Sequence, residues 1–135
     1  MRRYNVVGVL SPDGESWLLC LRAKPPYQGK YNLVGGKIEP GEESEAAAYR
    51  ELWEETGIER AQIDLAHVMD FTYYRSGCSI EFWAGRLKEA VVLREETNPL
   101  RWFSLKENFF DGSRFAGMGN IGHMLEELRD CGLAD

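Results

Sequence analysis

The chain has 135 residues, 44% of them hydrophobic and 28% charged, with a formal net charge of −6 at pH 7. That length predicts one domain over residues 1–135, burying about two-thirds of its unfolded surface around a single core. The acidic balance argues against a stable nucleic-acid partner, which calls for a basic face, and no apolar run approaches the ~18 residues of a membrane span.

Residues 3–10 alternate and are rich in β-branched side chains, Ser11-Pro12-Asp13-Gly14 supplies a turn, and residues 17–21 return as a second strand. The apolar run at 6–10 is broken by Gly8 and is too short for a signal peptide. A polar loop with Pro25, Pro26 and Gly29 leads to a short strand at 31–34 and then to Gly35-Gly36. The next element is a helix that starts near Glu43-Ser44, with Ser44 as N-cap, and ends at Gly57 as the glycine after its last turn.

That helix carries Arg50-Glu51-Leu52-Trp53-Glu54-Glu55. At about 100° per residue, Glu51, Glu54 and Glu55 fall within one arc of roughly 100°, and Ala46, Tyr49, Leu52 and Trp53 form the opposite, apolar arc. Like charges one turn apart weaken a helix by about 0.2–0.5 kcal/mol per pair. A positive charge is therefore expected among them. The natural candidate is a hard divalent cation, since magnesium takes oxygen ligands and bridges one or two carboxylates to a substrate's phosphates. Gly35 and Gly36 permit a tight turn with a free carbonyl that can ligate a metal. Arg50 is read as structural, orienting Glu51 or Glu42 through charge-assisted hydrogen bonds. Lys37 is a candidate for meeting a phosphate.

Gly36, Glu42 and the run from Arg50 to Ile58 stand in one fixed register. At ordinary composition such a register arises by chance roughly once in 10⁸ to 10⁹ tries. The segment resembles the Nudix box and matches that family's pattern at every specified position. The resemblance implies an α/β/α sandwich with a mixed sheet between helices. It also implies hydrolysis of a nucleoside diphosphate linked to another group, with magnesium or manganese as cofactor and Gly35 supplying a carbonyl to the metal. Family members usually carry proline just before the two glycines, where this chain has Val34.

Further along, residues 62–75 and 78–87 read as two strands joined at Ser76-Gly77, followed by a strand at 101–104 and a short helix at 106–109. The tail at 120–131 is an amphipathic helix with Ile121, Met124, Leu125 and Leu128 on one side. In REETNPLRWFSL, Glu96 precedes Pro99 and Trp102 much as a metal-binding or basic glutamate does in the MutT-like subgroup. Glu95 is its rival and Glu81 a weaker third. Arg22 resembles a phosphate-binding arginine of that subgroup, and Asn120 a purine-reading asparagine. Leu33 and Phe82 are candidates for an apolar wall against a base, although core packing fits their alternation better.

Metal binding is therefore expected from Gly35, Glu51, Glu54, Glu55 and Glu96, and catalysis from Glu54, Glu55 and Glu96. Substrate contacts are expected from Arg22, Lys37 and Asn120. The leading expectation is a cytoplasmic pyrophosphohydrolase, monomer or homodimer, that converts a small nucleoside triphosphate such as 8-oxo-dGTP to the monophosphate and pyrophosphate. Diadenosine polyphosphate hydrolysis is the runner-up because Tyr73 and Tyr74 follow the box at a suitable distance, and a non-catalytic nucleotide sensor is the alternative outside the enzymes. Cys20, Cys78 and Cys131 lack metal-ligand spacing and fit a reducing compartment.

Overall fold

A computed structural model describes residues 1–135. Strands β1 (Arg2–Leu10), β2 (Ser16–Leu21) and β3 (Tyr31–Lys37) precede helix α1 (Ser44–Thr56). Strands β4 (Ala66–Tyr73), β5 (Cys78–Arg86) and β6 (Leu100–Ser104) then lead to helix α2 (Asn120–Asp130). The six strands form one sheet in the order β4-β5-β1-β3-β2-β6. The β1–β5 pair is parallel and the others are antiparallel, so the sheet is mixed.

Neighbouring residues on a strand point to opposite faces, and here both faces are covered. Trp17, Leu19, Leu33 and Phe82 pack with Ile121, Met124, Leu125 and Leu128 of α2. Their sequence neighbours Leu18, Cys20, Val34 and Trp83 pack with Ala48 and Leu52 of α1 on the other side. This two-sided burial explains why the middle of β1 reads as a nearly continuous apolar run. Each fully buried Leu or Phe adds about 1.5–3 kcal/mol of hydrophobic stabilisation. The α/β/α sandwich is thus held by two separate apolar layers.

Several local expectations are corrected. Ser44 is the first residue inside α1, and the cap position belongs to Glu43. The Ser44 hydroxyl is engaged elsewhere: it donates to Glu81 Oε2 at 2.8 Å and accepts from Arg3 at 2.6 Å. Within α1, Trp53 is 49% exposed and Ala46 also faces solvent, while Ala47, Ala48, Glu51, Leu52 and Thr56 are buried. The helix is rolled so that one edge of its acidic arc lies against the sheet. Gly57 does close the helix, with φ 78° and its N–H bonded to the Trp53 carbonyl.

The strand expected at 62–75 spans only Ala66–Tyr73, because residues 60–62 form a 3-10 turn closed by a reciprocal Glu59–Gln62 cap. No helix forms at 106–109. Ser104 Oγ and Asn108 Oδ1 accept from the Lys106 and Phe110 N–H groups instead, local bonds that compete with a helix. Phe109 from this turn is buried edge-on against Trp17.

Candidate active site

Pairing within β3 sets the site. Its first half bonds to β2, through Tyr31–Leu21 to Leu33–Leu19, and its second half bonds to β1, through Val34–Val7 to Lys37–Tyr4. The far edge of residues 35–37 therefore has no strand beside it, and Arg50 and Glu51, from the middle of α1, reach this segment. A trans peptide points its N–H and C=O in opposite directions. The Ile38 N–H bonds to the Arg3 carbonyl of β1, so the Lys37 carbonyl faces away from β1, where Arg50 Nη2 donates to it at 3.0 Å.

Arg50 is the hub. Its Nε and Nη2 grip both Glu42 oxygens, at 2.7 and 2.9 Å, and its Nη1 donates to Glu51 Oε1 at 3.0 Å and to Glu54 Oε2 at 3.1 Å. Glu42 also accepts from the Glu39 N–H, so it fastens the loop to the helix. These bonds, the Arg50 one foremost, lower the Glu42 pKa to about 2. Because the folded value lies below the ordinary carboxylate value, this contribution to stability is complete above that ordinary range and is lost as pH falls toward 2. Thermal melts should therefore show wild type exceeding Glu42→Gln at neutral pH, with the gap closing in that acid window. A gap unchanged down to pH 2 would refute the assignment.

Glu51 is 9% exposed and lies against Gly36, where an added Cβ would sit 2.5 Å from its carboxylate. Burial raises its pKa, and Arg50 pulls in the opposite direction. Glu55 is raised by burial first, then by Glu51 and by Glu96, with Arg22 opposing. The fold thus brings Glu51, Glu55, Glu96 and Arg22 into one electrostatic neighbourhood, with Glu54 adjoining through Arg50.

The three downstream acids differ in how far they are already engaged. Glu81 accepts from Arg3, Ser44 and Trp83 Nε1, which ties β5 to β1 and α1. Glu95 Oε2 accepts from the Leu100 N–H at 2.6 Å and closes its own loop. Glu96 has no hydrogen bond or ion pair within the protein. No three acidic, histidine or cysteine side chains converge as a ready cation cage. The carboxylates nevertheless offer an all-oxygen, anionic donor set, which suits a magnesium ion whose shell is completed by water and substrate phosphates.

Beside these acids a cleft opens on the α2 side of the sheet. Its near chamber, about 390 Å³, is bordered by Arg22, Gly35 and Gly36, and its far chamber, about 500 Å³, by Phe71, Tyr73, Met118 and Asn120. Val6, Tyr27, Asn32 and Ile80 line both, so the two are continuous. Asn120 is the first residue of α2 and Gly119 holds the cap position, which leaves the Asn120 side chain free to donate to the Tyr73 hydroxyl at 2.8 Å. Tyr73 is therefore a cleft residue and not part of the core.

Lys37 stands apart: its side chain is exposed, makes no ion pair and does not border this cleft. Phe82 is wholly buried against Gly8, whereas Leu33 is buried but touches the near chamber. Tyr27, Asn32 and Met118 were not foreseen. Tyr27 and Met118 have positive φ, 68° and 55°. Such values are uncommon outside glycine and gather at functional sites, but no periodicity in the sequence announces them.

The NUDIX domain family model matches residues 1–122. The 8-oxo-dGTP diphosphatase of Escherichia coli is 30% identical over 100 residues, covering 73% of this chain and 78% of that protein. The NAD-capped RNA hydrolase NPY1 of Saccharomyces cerevisiae is 32% identical over 120 residues, covering 84% of this chain but only 31% of its own length. Among solved structures, a C. elegans Ap4A hydrolase binary complex superposes with a TM-score of 0.77 at 21% identity, covering 96% of each chain. At that identity the likeness speaks for the fold alone.

Proposed function

The chain belongs to the NUDIX domain family and is a hydrolase of phosphoanhydrides, and from that premise we propose that it is a metal-dependent nucleoside triphosphate pyrophosphohydrolase. The observation that carries this reading is the cleft that runs from Arg22, Gly35 and Gly36, the neighbours of Glu55 and Glu51, to a chamber of about 500 Å³ bearing Asn120. A chamber of that size suits a small ligand. Glu51, Glu54, Glu55, Glu96 and the Gly35 carbonyl would hold magnesium or manganese. Such an ion neutralises phosphate charge and lowers the pKa of an attacking water.

The protein's own groups divide the remaining work. Water attacks phosphorus as the bridging P–O bond breaks, and the released proton needs an acceptor. Glu55 can take that role when it is not itself bound to the metal, as a half-buried carboxylate in the field of Glu51, Glu96 and Arg22. Glu96, unengaged beside it, is the second candidate. Arg22 borders the near chamber and lies close to Glu55, where it offsets phosphate charge. Lys37 reaches a phosphate only if its exposed side chain swings toward the cleft. Asn120 can donate to and accept from a base edge, and an oxidised purine nucleotide such as 8-oxo-dGTP is the favoured substrate, in keeping with the name of the E. coli relative.

A dinucleoside polyphosphate is the second reading, favoured by the position of Tyr73 in the cleft. A nucleotide panel with magnesium, scored for pyrophosphate against orthophosphate and repeated with chelator, separates the readings. Release of pyrophosphate and nucleoside monophosphate that stops with chelator is expected. Tight nucleotide binding without turnover would instead make the domain a sensor. Asn120→Ala is expected to change the ranking of bases within that panel while leaving the phosphate products unaltered. An equal loss on every nucleotide would remove the base-reading role.

A further inference from the structure

Asn5 is polar where the fold asks for an apolar residue. Val7 and Val9, on the same face of β1, are fully buried beneath α1, and Asn5 is itself only 2% exposed. Its Oδ1 accepts from the Gly36 N–H at 3.1 Å, but its Nδ2 is buried with no partner. An unpaired buried donor costs free energy that an aliphatic side chain of similar shape avoids. Folding alone does not account for this asparagine.

The hydrogen bond it makes has a geometric consequence. With the Gly36 N–H held toward β1, the planar trans peptide turns the Gly35 carbonyl the opposite way. That is the same outward edge on which Arg50 meets the Lys37 carbonyl, and the Glu51 carboxylate packs on Gly36 immediately beside it. Gly35, at φ 151°, has no side chain to restrict rotation of this peptide, so the Asn5 side chain adds a second hold to the one that the Asn5–Gly36 and Val6–Gly35 strand pairing supplies.

We propose that Asn5 is a positioning residue whose side-chain amide sets the 35–36 peptide so that the Gly35 carbonyl and the Glu51 carboxylate face one divalent cation together. The inference rests on the metal reading given above and adds to it a residue from β1, outside the box motif. It would act through the 35–36 peptide, on which the Glu51 carboxylate packs, and would not itself be a ligand.

The test is a Mn²⁺ titration of the full chain without nucleotide, followed by the electron paramagnetic resonance of the free ion, alongside thermal melts with no ion present. Asn5→Leu is expected to weaken Mn²⁺ binding by about 10-fold or more, the range for loss of an outer-sphere partner, while its ion-free melt stays level or rises. Asn5→Asp keeps the acceptor oxygen and should bind at least as tightly as wild type. Unchanged affinity in Asn5→Leu overturns the proposal, and so does equal weakening in both variants. An Asn5→Leu chain that loses its fold in step with its affinity also overturns it, since the amide would then be structural. If wild type takes up no Mn²⁺, the metal reading itself fails and this inference fails with it.

Discussion

Replacing Glu54 with glutamine is expected to lower turnover by about 10²–10⁴-fold, the range for loss of a group that activates the attacking water, here through the metal it would hold, with little change in stability. The two effects separate because Glu54 sits differently from Glu51. Its side chain is 45% exposed and its one ion pair is the i,i+4 contact to Arg50 Nη1. Exposed helix pairs of this kind contribute about 0.3–0.5 kcal/mol, and an amide oxygen can still accept from Arg50. The charge is what the substitution removes, and negative charge is what a divalent cation requires of this position. The measurement is kcat under saturating magnesium, paired with a thermal melt. Activity close to wild type would take Glu54 out of the metal and catalytic assignments.

Gly35→Ala is expected to act in the opposite sense, through the fold. An alanine Cβ would press into the Asn5 backbone carbonyl and stand 2.9 Å from the Val6 Cα, at a backbone φ of 151°. Both obstacles are main chain of the central strand and neither can swing aside. Strain of this kind costs about 1–3 kcal/mol before any clash is counted, so a loss of at least about 2 kcal/mol is expected in denaturant unfolding. Gly112→Ala is the control, because nothing lies within 4 Å of its added Cβ. Equal unfolding midpoints for the two variants would mean that β3 can move away from β1, and the rigid edge described for residues 35–37 would be wrong.

Much of the site was legible in the sequence because its chemistry is local. Glu51, Glu54 and Glu55 share a helix edge through helical geometry alone, and Arg50 lies one residue before them with donors long enough to reach Glu42. The structure agrees on each of these points and adds that Arg50 also takes the Lys37 carbonyl. The β-branched run at residues 3–10 and the turn after it likewise announced strands, and the observed sheet buries both faces.

The misreadings share a cause. Ser44 has a capping side chain, but a nearly buried carboxylate on β5, 37 residues away, recruits it. Trp53 looks like a core residue by its chemistry, yet the roll of α1 that tucks Glu51 against Gly36 leaves it exposed beneath Arg94. Tyr73 drew notice only for its distance from the box, and the fold sets it at the cleft, meeting Asn120 from across 47 residues.

By itself the sequence determined the hydrolase family, the layered α/β architecture and the acids of the box, since helical and strand periods and a fixed register are properties of neighbouring residues. Only the tertiary structure decided which of Glu81, Glu95 and Glu96 is unengaged, that Arg22 shares the field of Glu55, and that Tyr27, Asn32, Tyr73 and Asn120 border one cleft with Gly35. Those relations depend on how β3 passes from β2 to β1 and how α2 lies across the sheet. Such packing is set by the sum of many weak contacts between distant segments, and no local pattern of residues encodes it.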